Sequence, residues 1–492
     1  MKSNSPFPLE PLRRQPTRRD ALRLAAGALL ASPCLRAATA GSSVTETLAA
    51  YMASAGTAPL PAEVLEKTKH HILDTFAAMI SGASLPPGQT GLKFAEAHQG
   101  EKVATVVASK LLCGPLEAAM VNAMLAHSDE TDDSHAPSHS HPGCAIVPAA
   151  YAAGEQFGID GSRFLRAVTL GYDIGPRVTM TLGGLPYQME SHRSAHSISS
   201  TFGATAAACC AAALNAQQMR WALDYAAQQA SGTAAWQRDT NHVEKSLVFA
   251  GWPARNGVSS ALLLQLGGSG VDDIFTGADN FLLTFNPKAD PAGLIDKLGE
   301  RFEVTRTNIK KWTVGSPIQA PLDAVTNLRQ RHPFEAADVK KVVVRVATSE
   351  AKTVNNREMP DISLQHMVAV VLIDKTASFA AAHDRPRMAD PALVRERAKV
   401  ELVPDEELEA LYPRRVTVVE LTLNDGTTLT ERVEAVRGTA ENPMTRDEVV
   451  AKAGDLLAPV IGAAQSRKLI AQILNLETLK SLRGLRPLLQ KA

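Results

Sequence analysis

The sequence predicts a mainly α-helical protein that carries a smaller α/β insertion. Three observations point to this fold class. Alanine-rich segments recur along the chain and aromatic residues make up only 5%, which favours close packing of helices over an all-β sandwich. Apolar residues follow a helical period over most of the chain. Between about residues 306 and 438 the pattern changes to strands and a hairpin.

Length and pattern together predict two domains after a leader segment. The 492 residues exceed the about 250 to 300 residues beyond which a single hydrophobic core stops growing. Residues 41–305 and 439–492 are expected to form one helical domain, because the helical period returns after Gly438. Residues 306–438 are expected to form an inserted α/β lid domain.

The first forty residues have the order of a secretory leader. Arg18 and Arg19 precede an apolar run over residues 24–30, and an A-x-A cleavage site follows at residues 38–40. Paired arginines are typical of twin-arginine signal peptides. Residues 1–40 therefore predict export of the folded protein into the periplasm, and a basic disordered tail is the alternative interpretation.

Two segments of the helical domain have clear helical patterns. The first opens at Leu60-Pro61, with a proline suited to a first helical turn, and its apolar residues recur until Gly82. The second, from His196 to Leu214, consists of small uncharged residues, as in a helix that is buried on all sides.

The insertion and the C-terminal segment have different patterns. Residues 339–346 are rich in valine, as in a β-strand. Residues 416–423 and 427–433 flank the turn signal Asn424-Asp425-Gly426 and predict a hairpin. Residues 445–489 return to helical periodicity and are expected to rejoin the helical domain.

Charge and composition exclude several classes of partner. Lysine plus arginine and aspartate plus glutamate both number 51, so no overall field would hold nucleic acid or an anionic membrane. No apolar run after the leader reaches the about 20 residues that span a bilayer. The cysteines after the leader, at positions 113, 144, 209 and 210, contain no C-x-x-C pair. An iron–sulfur cluster or a disulfide framework is therefore not expected.

The segment from His127 to His141 is rich in titratable side chains. Within fifteen residues it contains four carboxylates and four histidines, namely Asp129, Glu130, Asp132, Asp133, His127, His135, His139 and His141. Carboxylates held together shift one another's pKa, and histidine titrates near neutral pH, so the set could supply a general acid and a general base. A metal site with histidine and aspartate ligands and a solvated loop of charges are the other two interpretations.

Four further residues are candidates for substrate contact or proton transfer. His196 precedes the serine-rich start of the small-residue helix, where free N–H groups and the helix dipole favour a carboxylate. Lys245 and Lys310 are flanked by apolar residues, and a partly buried lysine can bind a carboxylate or take part in acid–base work. His366 lies inside an apolar run. A core histidine or a surface lysine is the alternative for each.

Together these segments resemble the MmgE/PrpD family, which includes 2-methylcitrate dehydratase, cis-aconitate decarboxylase and iminodisuccinate epimerase. The resemblance runs from about residue 45 to the C-terminus and implies a helical domain with an α/β lid and a site between them. The motifs that carry it are Leu60-Pro61, Leu73-Asp74-Thr75, Gly82, residues 127–142, Ala195-His196, Glu244-Lys245, Pro253-Ala254-Arg255-Asn256-Gly257, Arg437-Gly438 and Asn442-Pro443.

The central motif of the family resembles H-A-L-D-F-D-D-T-H followed by T-H-P. Residues 127–135 match it without a gap, and Ser140-His141-Pro142 follows. Glu130 thus stands where the family has an active-site aspartate, and Ser134 where it has a threonine. By this matching the residues at active-site positions are Glu130, Ser134, His141, His196, Lys245 and Lys310. The resemblance also implies catalysis without a metal or an organic cofactor.

Three positions depart from the family pattern. Phe249 lies near the histidine of the family's K-x-L-H motif, residues 313–317 lack a later family histidine, and His366 stands where many members have tyrosine. These changes alter the wall of the pocket. We therefore expect a substrate other than methylcitrate or cis-aconitate.

The resemblance implies a homodimeric lyase or isomerase that acts at a C–H bond α to a carboxylate of a small di- or tricarboxylic acid. The expected catalytic residues are His196, His141, Glu130, Asp132 and Lys245, and the expected substrate-binding residues are Ser134, Lys310 and His366. His196 and His141 are expected to transfer the proton, with Glu130 and Asp132 orienting them. A metal-dependent hydrolase and a non-catalytic periplasmic carboxylate-binding protein are the alternative functions.

Overall fold

The computed structural model describes residues 42–491, and α-helices make up most of them. The predicted signal peptide of residues 1–40 lies outside the described residues. The helices of the first part are α1 (Val44–Ala55), α2 (Ala62–Gly82), α3 (Pro86–Ala97), α4 (Pro115–Ala126), α5 (Gly143–Phe157), α6 (Gly161–Leu182), α7 (Gly184–Ser191), α8 (Ala195–Ala211), α9 (Ala216–Gln229), α10 (Val243–Ser246), α11 (Trp252–Gln265) and α12 (Phe281–Phe285). Within the described range, no helix combines the length and the apolarity that a membrane span requires.

Helix α2 confirms the helix predicted from Leu60-Pro61 to Gly82. Pro61 occupies its N-cap position, where the missing N–H of proline leaves no intrahelical hydrogen bond unmade. Most apolar side chains of α2 are buried, and Leu73 and Phe76 are fully buried. They pack into one hydrophobic core with α4, α5, α6 and α8.

Helix α8 is buried along its whole length, as its small residues predict. Glycines allow its backbone to lie against α6. A Cβ on Gly175 of α6 would lie 2.3 Å from the carbonyl oxygen of Ser199, and a Cβ on Gly171 would lie 2.8 Å from that of Gly203. This close approach fixes α8, whose first turn carries His196, against the centre of the protein.

The middle part has a hydrophobic core of its own and a four-stranded mixed sheet in the order β4-β3-β5-β6. Strand β3 pairs parallel with β4 and antiparallel with β5, and β5 and β6 form a hairpin. The elements here are α13 (Ser316–Arg331), β3 (Val339–Ala347), α14 (Thr348–Val354), α15 (Leu364–Asp374), α16 (Phe379–His383), α17 (Pro391–Ala398), β4 (Val400–Asp405), α18 (Glu406–Glu409), β5 (Thr417–Leu423) and β6 (Thr428–Val433). The predicted strand and hairpin are confirmed.

The sequence missed three strands. Edge strand β4 has the sequence VELVPD, in which two acids and Pro404 hide the strand signal, and proline is tolerated at an edge. The ribbon of β1 (Ala104–Thr105) and β2 (Leu112–Cys113) has two residues per strand, which is too short for a pattern.

The C-terminal helices return to the first core, as predicted. They are α19 (Arg446–Ile461), α20 (Ala463–Leu474) and α21 (Arg486–Leu489), and apolar residues such as Leu456 and Leu469 join the core of α2. From α19, Lys452 donates to the carbonyl of Thr131 at 3.0 Å and pairs with Asp74 of α2 at 2.6 Å. The C-terminal segment therefore supports the loop that follows α4. The boundaries at residues 306 and 438 stay predictions.

Candidate active site

The loop between α4 and α5 contains the segment predicted as the centre of the site. Its residues from His127 to His141 are buried, apart from the half-buried positions 136, 137 and 139. Backbone hydrogen bonds fix the loop, since Ser134 and Asn308 exchange two at 2.8 and 3.0 Å. A solvated loop of charges is therefore the wrong interpretation of this segment.

Asp132 lies at the centre of the loop with both carboxylate oxygens bound. The Nδ1 atoms of His127 and His141 lie 2.9 and 3.2 Å from its two oxygens. Burial alone would raise the pKa of Asp132, but the two histidines hold that pKa well below its usual range. With Asp132 ionised, both rings carry their hydrogen on Nδ1, which leaves Nε2 of His141 as a proton acceptor.

Glu130 holds two lysines from distant parts of the chain. Its Oε1 contacts the ammonium of Lys245, and its Oε2 lies 3.4 Å from that of Lys310. Lys310 also donates to the Glu130 carbonyl at 2.7 Å and lies 3.8 Å from Asp132. Burial opposes ionisation of Glu130, but the two lysines outweigh it and hold its pKa well below the usual range.

An aromatic cluster lies beside the ion pairs. The ring of Phe249 stacks on His196 at a centroid distance of 3.9 Å, and Trp236 meets the same histidine edge-on at 5.3 Å. The His196 and His141 centroids are 5.3 Å apart. The ammonium of Lys245 lies 5.2 Å from the centre of the Phe249 ring. Two histidines, a lysine and two aromatic rings therefore share one small volume.

Both central histidines are neutral at physiological pH. Burial lowers the pKa of His141 against the opposing charge of Asp132. For His196, burial and the positive groups around it place the pKa well below its ordinary value. The Nδ1 atom of His196 has no hydrogen-bond partner within the described part of the chain. A neutral imidazole can accept a proton without first losing one.

A histidine of the smaller core reaches the same loop. His383, at the end of α16, pairs with Asp129 at 2.8 Å. Burial opposes its charge, but Asp129 and then Asp361 outweigh that effect and raise the pKa of His383 to about 9. Burial raises the pKa of Asp361 to about 6. The loop is therefore tied to α16 by an ion pair next to Glu130.

Family models assign this chain along most of its length. It matches the MmgE/PrpD N-terminal domain over residues 46–293 and the MmgE/PrpD C-terminal domain over residues 312–478. The chain belongs to the MmgE/PrpD family. The resemblance drawn from the motifs is confirmed.

Similar MmgE/PrpD proteins include cis-aconitate decarboxylases. That of Aspergillus terreus is 25% identical over 484 residues, covering 92% of this chain and 96% of the relative. The human cis-aconitate decarboxylase is 24% identical over 481 residues, with coverages of 91% and 95%. A cis-aconitate decarboxylase-like protein of Aspergillus oryzae is 24% identical over 471 residues, with coverages of 88% and 95%.

The structure brings together seven of the eight residues expected from the MmgE/PrpD motifs. Ser134 lies at the edge of the cluster, where it lines the same cavity as Lys310, and its hydroxyl is 3.5 Å from that of Ser316. His366 is not joined to the others by a hydrogen bond, ion pair or ring contact within the described residues. It is buried in α15, neither ring nitrogen has a hydrogen-bond partner there, and burial lowers its pKa to about 4. The seven that meet are Glu130, Asp132, Ser134, His141, His196, Lys245 and Lys310.

The sequence did not indicate three residues that lie beside this cluster. His242 is buried in a left-handed backbone conformation (φ 67°), with Nε2 3.9 Å from Glu130. His383 comes from far along the chain, and Trp236 stands in a short 3-10 helix. The position of His242 three residues before Lys245 was the one available signal for it. Pairing between residues far apart in the chain, as between His383 and Asp129, leaves no pattern in the sequence around either residue.

Two groups of three side chains have the spacing of metal ligands. His127, Asp132 and His141 form one group, and His127, Glu130 and His242 form the other, with ligand atoms within 4.8 Å of one another. In the second group the ammonium of a lysine already contacts the carboxylate. A divalent cation here would face two ammonium groups, which Coulomb repulsion opposes. This second group therefore favours an anionic ligand over a metal ion.

Two cavities adjoin the cluster. The smaller one, of about 20 Å³, is lined by residues that include Ser134, Lys310 and Arg415. The larger one, of about 100 Å³, shares Arg415 and Asn308 with it. The shared lining makes the two cavities neighbours.

Proposed function

We propose that this protein is a lyase or isomerase that moves a proton at the carbon α to a carboxylate of a small carboxylic acid, without a metal or an organic cofactor. The observation that carries the proposal is the pairing of His141 with Asp132 beside the buried Lys310 and the half-buried Lys245. Membership in the family and likeness to cis-aconitate decarboxylases support it.

In the proposed reaction, Nε2 of His141 accepts the proton from the α-carbon. The resulting imidazolium is stabilised by the ionised carboxylate of Asp132, which accepts from Nδ1 at 3.2 Å. His196, the second neutral imidazole, is the partner that accepts or returns a proton at a neighbouring atom.

The lysines hold the substrate in this proposal. Lys245 and Lys310 bind a substrate carboxylate and stabilise the negative charge that develops on its oxygens when the α-proton leaves. The carbanion then expels hydroxide from the adjacent carbon, which is dehydration, or takes up a proton on the opposite face, which is epimerisation. In decarboxylation the carbanion forms instead by loss of carbon dioxide, and it takes up a proton that one of the histidines relays from a water molecule.

We also propose the assembly and location expected from the sequence. Residues 306–438 act as a lid over the site, the active form is a homodimer, and residues 1–40 direct export to the periplasm by the twin-arginine route. Light scattering tests the dimer, and a monomer mass contradicts it. A reporter fused after Gly41 tests export, which should stop when Arg18 and Arg19 are both changed to lysine; reporter retained in the cytoplasm with the native leader contradicts it.

Screening mono-, di- and tricarboxylic acids for products by NMR tests the proposed function. We expect conversion of at least one acid, and a loss of about 100-fold or more in turnover for Lys245→Met. The matched control is Glu244→Gln, which alters an exposed neighbour on the same helix and should keep wild-type turnover. Tight binding of an acid without product would favour a carboxylate-binding protein instead.

A further inference from the structure

The cations in and around the site are all paired with carboxylates of the chain. Lys245 and Lys310 share Glu130, and Lys310 also lies near Asp132. The arginines that line the two cavities are paired as well. These pairs are Arg306 with Glu303, Arg414 with Glu434, Arg415 with Glu350 and Arg437 with Glu448. A substrate carboxylate that reaches one of these cations must therefore share it with a carboxylate of the protein.

The charges at the centre of the site balance. Two lysines face two ionised carboxylates, those of Glu130 and Asp132. Burial places the pKa of His141, His196 and His242, which face this group, below the ordinary value, so these three histidines add no charge. His383 is charged but is balanced by Asp129.

One wall of the site is aromatic. Phe249 is 1% exposed and lies against His196 and the ammonium of Lys245. Trp236 closes the same wall, 4.7 Å from the Phe249 ring. This wall offers apolar contact and one buried indole N–H without a partner among the described residues. The cation at this wall, Lys245, is already paired with Glu130.

We infer that the substrate carries one or two carboxylates rather than three, with an apolar or unsaturated group against Phe249 and Trp236. This inference rests on the proposed function and narrows its substrate class. A buried carboxylate needs a cation or several donors to offset its lost hydration. Lys245 and Lys310, which are already shared with Glu130, can offset the buried charge of one substrate carboxylate. A second substrate carboxylate can lie towards the two cavities.

Glu130 is the specificity-determining residue in this account. Its side chain is one methylene longer than aspartate and reaches both lysines. Each further substrate carboxylate then meets a negative charge rather than a free ammonium. Removing that charge while keeping the shape should favour substrates with more carboxylates.

Calorimetric titration of the wild-type protein tests the inference with three saturated acids of related skeleton: butanoate, glutarate and propane-1,2,3-tricarboxylate. We expect butanoate or glutarate to bind at least about 10-fold more tightly than the tricarboxylate, the cost of one unpaired carboxylate. Tightest binding of the tricarboxylate would overturn the inference, and so would the absence of binding by all three.

Variants then test the part played by Glu130. Glu130→Gln should improve binding of the tricarboxylate relative to butanoate by about 10-fold, whereas Glu244→Gln should leave the ratio unchanged. An unchanged ratio in Glu130→Gln would overturn the assignment to Glu130. Since these acids are bound without being converted, their ranking is independent of turnover. Failure of the proposed function appears separately, as the absence of product in the NMR screen.

Discussion

Replacing Asp132 by asparagine removes one charge and keeps the shape of the side chain. In the native protein its two oxygens accept from Nδ1 of His127 and Nδ1 of His141, at 2.9 and 3.2 Å. Asparagine offers one oxygen and one NH₂ group, so one ring must meet a donor with its own N–H. That ring changes tautomer and places its hydrogen on Nε2. For His141 this change abolishes the proton acceptor.

The loss of the proton acceptor on His141 sets the expected effect on kcat, and the loss of the charge-assisted hydrogen bonds sets the expected effect on stability. General base catalysis contributes about 10²- to 10⁴-fold, which corresponds to about 3 to 5 kcal/mol of activation free energy. We therefore expect kcat of Asp132→Asn to fall by that factor with little change in KM. The lost charge-assisted hydrogen bonds should lower the free energy of unfolding by about 1.5 to 3 kcal/mol.

A buried carboxylate away from the site provides the control. Asp173 is fully buried and contacts Tyr51 and Arg177 at 2.9 and 3.1 Å. Asp173→Asn should cost comparable stability, measured by urea unfolding, while kcat stays within about 3-fold of wild type. A kcat of Asp132→Asn equal to that of the control would refute the role given to Asp132.

Three further outcomes are expected. Gly175→Ala should lower the free energy of unfolding by about 2 kcal/mol, because its Cβ would lie 2.3 Å from the carbonyl oxygen of Ser199. The control is Gly454→Ala, where the added Cβ has open space around it. Equal stability of the two variants would contradict the close packing of α6 against α8. The pKa of His383 is about 9 in the folded protein and about 6.5 in the unfolded chain. Its pairing with Asp129 therefore contributes its full stabilisation of the folded protein below about pH 6.5, and this stabilisation is lost as the pH rises through 9. Urea unfolding between pH 6 and 9.5 should show this loss in wild type and not in His383→Gln, and parallel curves would contradict it. Turnover should survive dialysis against a chelator, and a loss restored by a divalent metal would contradict the anion-binding account.

Local patterns were sufficient to predict the main elements of the fold. Proline at the start of α2 favours a helix through its backbone preference, and small residues along α8 favour one through close packing. Both signals lie among residues that are adjacent in the sequence. The valines of β3 and the Asn424-Asp425-Gly426 turn specify strands in the same way. Edge strand β4 escaped because Pro404 and two acids obscure its pattern, and its parallel partner lies over fifty residues away.

The candidate site was predictable where its residues lie in one segment or in a motif. Glu130, Asp132 and His141 follow one another within a single loop, and matching to the family adds His196 and the two lysines. The contact of His383 with Asp129 joins positions over 250 residues apart, so nothing near either residue signals it. His366 sits in an apolar run, and this run is the interior of α15 in the second core.

Solvent deuterium uptake tests the central claim most directly. A carboxylic acid that is converted, or that binds, is incubated with the protein in deuterated water, and the proton at its α-carbon is followed by NMR. With the wild-type protein the account predicts deuterium at this carbon after epimerisation or decarboxylation, and loss of the α-proton to the new double bond in dehydration. With His141→Gln, the rate should fall by about 100-fold or more. An epimerised or decarboxylated product free of deuterium at this carbon, or an equal rate in His141→Gln, would contradict proton transfer by His141.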